Sequence, residues 1–172
     1  MHYAFLSGMI KKRVMSMQLC IKQRAISWTD TFDVYGKGGK VKYFVTADFM
    51  SLFHRLRVYD KKTNQEVGSV HEKSSTWLPA YNIVINGDHV GTVAKKFRLF
   101  AHDYQVDFRN WLVEGDFLGW DFRVYHEEKQ IMTISKEWTS WGDTYIMKYD
   151  DPKVEIPGLL LVLAIDAACS NK

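Results

Sequence analysis

The chain has 172 residues, of which 47% are hydrophobic, 25% are charged and 15% are aromatic, and its formal net charge is +3. This length fits one domain that buries a core without disulfides or metals, and the small charge is far below the basic excess typical of nucleic-acid-binding proteins. The chain has two cysteines, Cys20 and Cys169, in no CxxC pattern. We therefore expect a cytoplasmic protein with no disulfide, no metal, no cofactor and no nucleic-acid partner.

The first sixteen residues differ from the rest of the chain. A mildly apolar stretch, 1–9, precedes Lys11-Lys-Arg13, which is the reverse of the charge order of a secretory signal, so export is not expected. We treat residues 1–16 as an N-terminal extension and residues 17–172 as a single domain. Two interpretations of the extension stay open: translation starts naturally at Met15 or Met17, or the extension is a flexible or helical basic arm that contacts a partner.

Residues 18–150 contain short β-like runs separated by turn residues at regular spacing, which is typical of an all-β sandwich or barrel. Gly36-Lys-Gly-Gly39 and Asn86-Gly87 are strong hairpin signals, because tight turns need positive φ. The same turn chemistry predicts that strands 102–108 and 111–114 pair across Arg109-Asn110. The twelve predicted strands are 19–23, 32–35, 41–47, 56–59, 66–72, 81–85, 89–95, 102–108, 111–114, 122–125, 131–136 and 144–149.

The chain also repeats a pattern. Ala47-Asp-Phe49 followed by Arg57-Val-Tyr59 reappears 66 to 68 residues later as Gly115-Asp-Phe117 followed by Arg123-Val-Tyr125. Two halves of six strands each, 17–87 and 88–150, therefore follow one plan. A closed barrel of these halves leaves no sheet edges, but something must fill its middle.

The last apolar stretch supplies that filling. As a helix it would be apolar all round, so it lies either in a bilayer or inside protein. Residues 158–170 make roughly 20 Å of helix, which is too short for a hydrocarbon core of about 30 Å. The sequence thus predicts a mainly β fold, a closed 12-stranded antiparallel barrel around a C-terminal helix, and not a transmembrane protein. The predicted core-helix residues are Leu159, Leu160, Leu161, Val162, Leu163, Ile165 and Asp166, the last of which should reach a barrel end or bond backbone N–H groups there.

The order and spacing of several short motifs resemble the LURP-one-related family, whose members share the tubby C-terminal-like fold. The resemblance covers about residues 17–170 and no single motif is diagnostic. The motifs are Leu19-Cys-Ile-Lys-Gln23, Ser27-Trp28, Phe32-Asp-Val-Tyr35, Asp48-Phe49, Val58-Tyr59-Asp60, Leu78-Pro79 before Tyr81, Gly115-Asp-Phe117 and Leu163-Ala-Ile-Asp-Ala167. The resemblance implies a twelve-stranded barrel around a hydrophobic helix. It also implies a link to membranes, because tubby proteins bind phosphatidylinositol bisphosphate through basic strand residues and phospholipid scramblases have a similar fold.

Basic residues on the predicted strands are the best functional candidates, because converging ammonium and guanidinium groups hold phosphate by charge-assisted hydrogen bonds. The alternative is a solvated strand face whose charges deter edge aggregation. The candidates for binding anionic phospholipid or another phosphate-bearing ligand are Lys22, Arg24, Arg57, Lys95, Lys96, Arg98 and Arg123.

Signals for catalysis are weak. The chain has no GxSxG, HExxH, P-loop or GxGxxG motif, and its six histidines show no ligand spacing. Asp116 and Asp121 could act as paired carboxylates, although loop carboxylates more often cap turns. We therefore expect a non-enzymatic binding or signalling module, peripheral to a membrane or bound to a protein partner. The alternatives are a carrier of a small apolar ligand in a barrel mouth and a purely structural interaction domain.

Overall fold

The computed structural model describes residues 16–24, 31–48, 54–74, 78–98, 101–116, 119–139 and 142–170. The N-terminal extension lies almost wholly outside these residues. A 3₁₀ turn, Pro152–Val154, and one α-helix, α1 (Glu155–Ser170), follow the strands. The strands are β1 (Met17–Gln23), β2 (Phe32–Tyr35), β3 (Val41–Ala47), β4 (Arg55–Asp60), β5 (Glu66–Glu72), β6 (Ala80–Ile85), β7 (Asp88–Arg98), β8 (Ala101–Phe108), β9 (Trp111–Asp116), β10 (Asp121–His126), β11 (Lys129–Thr139) and β12 (Gly142–Tyr149).

The strands form one antiparallel sheet in the order β8-β7-β6-β5-β4-β3-β2-β1-β12-β11-β10-β9. Consecutive strands run in opposite directions, so the connections 36–40, 61–65, 86–87, 109–110 and 127–128 all lie at one end of the barrel. We call it the turn end. Helix α1 starts at the turn end and runs to the opposite end, which we call the loop end. The predicted mainly β barrel with a central helix is confirmed.

Turn chemistry explains why the strands begin and end where they do. Gly38 and Gly39 have φ of 92° and 72°, and Asn86 and Gly87 have φ of 53° and 87°. These are the left-handed conformations that tight hairpins require and that glycine and asparagine tolerate. All twelve predicted strands are present, with bounds that differ by three residues or fewer.

The two halves share an irregularity of register. The β4–β5 ladder shifts between Val58 and Tyr59, and the β10–β11 ladder shifts between Val124 and Tyr125. These are equivalent positions of the repeated Arg-Val-Tyr motif, and a β-bulge bends a strand and increases its twist. The sequence repeat therefore corresponds to a repeat of barrel curvature.

Helix α1 fills the barrel. Each residue from 159 to 165 is 0% exposed, and the helix contacts β5, β6 and β7 on one side and β12 on another. At Gly158 an added Cβ would lie 2.6 Å from Met132 Sδ, so the helix approaches the wall closely there. The helix begins at Glu155, and Pro157 lies in its first turn, where proline is tolerated.

One predicted pairing differs from the structure. Within the described residues, β8 pairs only with β7 and β9 pairs only with β10, so the barrel is nearly closed and has a seam between β8 and β9. The equivalent strands of the first half, β2 and β3, do form a ladder. At the turn end Phe108 and Trp111 pack edge to face, with ring centroids 5.1 Å apart. The connection 109–110 reverses the chain direction as predicted. Turn residues determine only this reversal, whereas barrel curvature determines whether the two strands stay close enough to pair.

Candidate functional site

Two of the predicted anion-binding arginines are engaged with carboxylates of the chain itself. Arg24 Nε donates to Asp33 Oδ2 at 2.9 Å, and its Nη2 contacts the other oxygen of the same carboxylate. Arg57 Nη2 lies 3.0 Å from Asp48 Oδ2, while its Nη1 donates to Glu66 Oε2 at 3.3 Å. An anionic ligand at either arginine would have to compete with these carboxylates.

The remaining candidates whose side chains the structure describes, Lys22, Lys95 and Arg123, do not converge on one groove. Lys22 and Lys95 lie on β1 and β7, which are six places apart in the sheet order, or on the order of 30 Å along the barrel wall. Arg123 lies on β10 opposite Glu114 of β9. Lys96 and Arg98 belong to β7, and their side chains lie outside the described part of the structure.

Polar residues on the outer face of β4 and β5 include a serine–histidine contact that has the wrong surroundings for catalysis. Ser69 Oγ lies 2.8 Å from His71 Nε2, but Ser69 is only 1% exposed. A nucleophile pair needs an orienting carboxylate on the histidine, and here Arg55 Nε donates to His71 Nε2 at 2.9 Å instead. Burial and the charge of Arg55 hold the pKa of His71 below its usual value. This contact is therefore structural.

Asp116 and Asp121 are partners across the β9–β10 ladder, and both are exposed. A catalytic carboxylate pair works in a cleft that is partly closed to water, whereas these two side chains are exposed. In the described part of the chain, no group of three or more His, Cys, Asp or Glu residues is placed to hold a metal ion. Nor do these residues contain a helix long and apolar enough to cross a membrane.

The structure brings together a cationic site that the sequence did not indicate. A cavity of about 400 Å³ at the turn end is lined by Lys37 and Lys40 from the β2–β3 turn, Lys42 from β3 and Lys62 from the β4–β5 turn. We call it the lysine groove. Asp60, which precedes the β4–β5 turn and also lines the groove, accepts hydrogen bonds from the backbone N–H groups of that turn, that of Lys62 at 2.8 Å among them. Backbone hydrogen bonds from this turn lower the pKa of Asp60.

The inner wall of the lysine groove contains a buried carboxylate. Glu155, the first residue of α1, is 8% exposed and accepts hydrogen bonds from the hydroxyl groups of Tyr43 and Tyr149. Its other contact is the ammonium group of Lys42. Burial by itself raises the pKa of Glu155, but the hydrogen bonds from Lys42, Tyr149 and Tyr43 outweigh it, so the pKa is lowered.

Lys42 therefore connects two parts of the site. It faces Glu155 on the inner side, and its Nζ lies 5.5 Å from the ring centroid of Tyr43. Lys37, Lys40 and Lys62 are exposed around the mouth. The four lysines outnumber the two carboxylates, Asp60 and Glu155, by two charges, so the groove carries a net positive charge.

Sequence reasoning missed the lysine groove because three of its four lysines lie on two separate turns, 36–40 and 61–65. One signal could have indicated it. Both turns lie between predicted hairpin strands, so an up-and-down order places them at the same barrel end, and both contain two lysines. Glu155 could also have been noticed in the sequence, because an acidic residue in the first turn of a helix interacts favourably with the helix dipole.

At the loop end the predicted helix carboxylate has a side-chain partner. Asp166 is 6% exposed and accepts a hydrogen bond from the hydroxyl group of Tyr145. The Tyr145 ring packs against Trp120, with centroids 4.5 Å apart, and Lys136 Nζ lies 5.2 Å from the Tyr145 centroid. This arrangement gives a buried carboxyl group a hydrogen-bond partner within a packed core, which is a structural role.

Comparisons with known proteins agree with this fold. The chain is 29% identical over 149 residues to a Bacillus subtilis (strain 168) protein named "Uncharacterized protein YxjI". The alignment covers 86% of this chain and 91% of that protein. The crystal structure of an Arabidopsis thaliana protein, AT5G01750, superposes with a TM-score of 0.58 at 14% identity, covering 87% of this chain and 90% of that one. The sequence model of the LURP-one-related family matches residues 17–165. The chain is therefore a member of the LURP-one-related family.

Proposed function

We propose that this protein is a non-enzymatic binding module that holds a phosphate-bearing ligand in the lysine groove. The observation that carries the proposal is the meeting of four lysines around one cavity of about 400 Å³. Ammonium groups bind phosphate oxygens by charge-assisted hydrogen bonds, and a concave site lets several of them reach one phosphate. The proposed setting is the cytoplasm, at or near an anionic membrane surface.

The surroundings of the lysine groove favour an anion over a cation. Glu155 faces the groove, but its oxygens already accept from Tyr43, Tyr149 and Lys42. Asp60 likewise accepts from its own turn, where Thr63 N donates at 3.0 Å. Both carboxylates are thus occupied by donors of the chain, and the charge presented at the mouth is that of the lysines.

Phosphate could come from a lipid headgroup or from a soluble ligand, and binding assays separate the two sources. Co-sedimentation with phosphatidylcholine vesicles, with and without phosphatidylserine or a phosphoinositide, tests the lipid source. Calorimetric titration with inorganic phosphate and with inositol hexakisphosphate tests the soluble source. Binding should weaken as salt rises, because the groove is exposed and its charges are screened.

Two triple variants with equal loss of charge locate the site. Lys37→Ala/Lys40→Ala/Lys62→Ala should lower the affinity for anionic vesicles or for the soluble phosphates by about tenfold or more. The matched variant, Lys22→Ala/Arg24→Ala/Arg123→Ala, removes three charges from β1, the residue after it and β10, all outside the lysine groove, and should retain binding.

The opposite ranking of these variants would move the site to the strand residues. Equal binding to neutral and anionic vesicles, together with no heat from the soluble phosphates, would exclude the proposal and leave a structural interaction domain.

A further inference from the structure

A second cavity lies at the turn end beside the seam. Its volume is about 820 Å³, within the roughly 300–1,000 Å³ typical of small-molecule sites. Three segments bound it: the seam turn 109–111, the β10–β11 hairpin 126–131 and the connection 150–154 between β12 and α1. We call it the seam cavity. It shares no lining residue with the lysine groove.

The seam cavity opens onto the hydrophobic core. Trp111 and Val154 line it, and both belong to the buried core with 8% and 7% of their surface exposed. Ile131, also a lining residue, packs partly buried against the same core. The cavity lies where the β9–β10 and β10–β11 ladders end, at the pairs Trp111–His126 and His126–Lys129, beside the connection 150–154. An apolar group could therefore extend the core here without displacing a strand.

The rim of the seam cavity carries cations. The guanidinium carbon of Arg109 lies 5.9 Å from the ring centroid of Trp111, and Lys129 and Lys153 also line the cavity. Two of the rim carboxylates accept from the backbone: Asp150 from Ser16 N at 3.0 Å and Asp151 from Lys153 N at 2.9 Å. Glu127, in the β10–β11 turn, is the third acidic lining residue, so the three cations and three carboxylates balance in formal charge and the preference for an anion rests on the positions of Arg109 and Lys153.

We infer that the seam cavity binds an amphipathic ligand, a molecule with an apolar chain and one anionic group. The apolar chain packs against Trp111 and Val154, and the anionic group lies at the rim beside Arg109 and Lys153. Burying an apolar chain against a core gains free energy in proportion to the area removed from water, and a rim cation selects the sign of the headgroup. Such a site would make the protein a carrier in addition to a phosphate-binding module.

Titration calorimetry of the full chain with two probes tests this inference. Dodecanoate and dodecyltrimethylammonium share the same apolar chain and differ in the sign of the headgroup. We expect one equivalent of dodecanoate to bind, with about tenfold or more preference over the ammonium probe. Arg109→Ala/Lys153→Ala should remove most of that preference, whereas Lys148→Ala, an exposed lysine outside the cavity, should leave it unchanged.

Filling the cavity provides the second part of the test. Val154→Phe and Ile131→Phe, with thermal unfolding measured for each, should weaken dodecanoate binding about tenfold or more. Dodecanoate brominated on its last carbon should quench tryptophan fluorescence, and Trp111→Phe should reduce that quenching even if a filling variant fails to fold. The absence of saturable binding, equal affinity for the two probes, or quenching that Trp111→Phe does not change would overturn the inference.

The two proposed sites fail independently. The variant Lys37→Ala/Lys40→Ala/Lys62→Ala should bind dodecanoate as the natural chain does, because none of these lysines lines the seam cavity. Loss of dodecanoate binding in that variant would place the amphipathic ligand in the lysine groove and contradict the seam site. Failure of phosphate to bind would leave the seam-cavity result unaffected.

Discussion

The hydroxyl group of Tyr149, the last residue of β12, donates a hydrogen bond to Glu155, the first residue of α1. The two residues are six positions apart, and between them the chain leaves the barrel wall and enters its interior. Tyr43 of β3 donates to the other oxygen of the same carboxylate. Burial and the neighbouring Glu155 raise the pKa of both tyrosines, so their hydroxyl groups stay protonated donors across the physiological range. The start of the core helix is thus tied to two strands of the wall.

Glu155→Gln should destabilise the protein by about 1–3 kcal/mol at neutral pH, because a buried charged acceptor is lost while its donors remain. The pKa of Glu155 is lowered in the folded state, so its contribution is present above its unfolded pKa and is lost as pH falls through the folded pKa. Urea unfolding across this acidic range measures the effect. Glu128→Gln, in the exposed β10–β11 turn, is the matched control, and equal stability of the two variants would contradict the role of Glu155.

His71 should make the protein less stable in mild acid. Its pKa is lowered in the folded state by burial and by Arg55, so the unfolded chain binds the proton more readily. Stability should therefore fall as pH drops below the unfolded value of about 6.5, and the fall should continue until the folded pKa is passed. Urea unfolding between neutral and mildly acidic pH should show this slope, and His71→Asn should flatten it. A proton NMR titration that places the His71 pKa at or above the unfolded value would contradict the prediction.

Gly68→Ala should destabilise the barrel wall where it meets the helix. An added Cβ would lie 2.6 Å from Leu160 Cδ1 and 2.9 Å from the backbone oxygen of Val84, and the backbone cannot yield as a side chain can. Overpacking of this kind costs about 1–3 kcal/mol. At Gly36, the control, an added Cβ would meet nothing nearer than 3.6 Å, so Gly36→Ala should change stability by less than about 0.5 kcal/mol. Similar melting temperatures for the two variants would show that the helix does not pack against Gly68.

Removal of residues 155–172 should leave an insoluble or molten chain. Six leucine, valine and isoleucine side chains of α1, among them Leu159 and Ile165, are fully buried, and their burial is worth on the order of 10 kcal/mol gross. A net domain stability is only about 5–15 kcal/mol. Near-ultraviolet circular dichroism and dye binding should show lost tertiary packing in the truncated chain. A cooperative thermal transition of that truncation would contradict the role of the helix as the core.

Two hairpin turns and the C-terminal helix show what local sequence could predict. Asn86-Gly87 and the glycines of the β2–β3 turn specified their hairpins. A tight turn needs positive φ at its central residues, and glycine and asparagine adopt positive φ regardless of the rest of the fold. The run 159–165 specified a fully buried helix, because an apolar circumference leaves no face for water. The strands and the helix followed from such short-range signals, and the family followed from the order and spacing of several motifs along the chain.

The tertiary structure alone decided which charges pair and where the barrel stays open. Arg24 meets Asp33 and Arg57 meets Asp48 because strand register brings each pair diagonally together across neighbouring strands, and register depends on the whole sheet. The lysine groove combines Lys40 and Lys62 from turns that are distant in the chain. The seam depends on how twelve twisted strands curve around one helix, and no residue at the Arg109-Asn110 turn encodes that curvature.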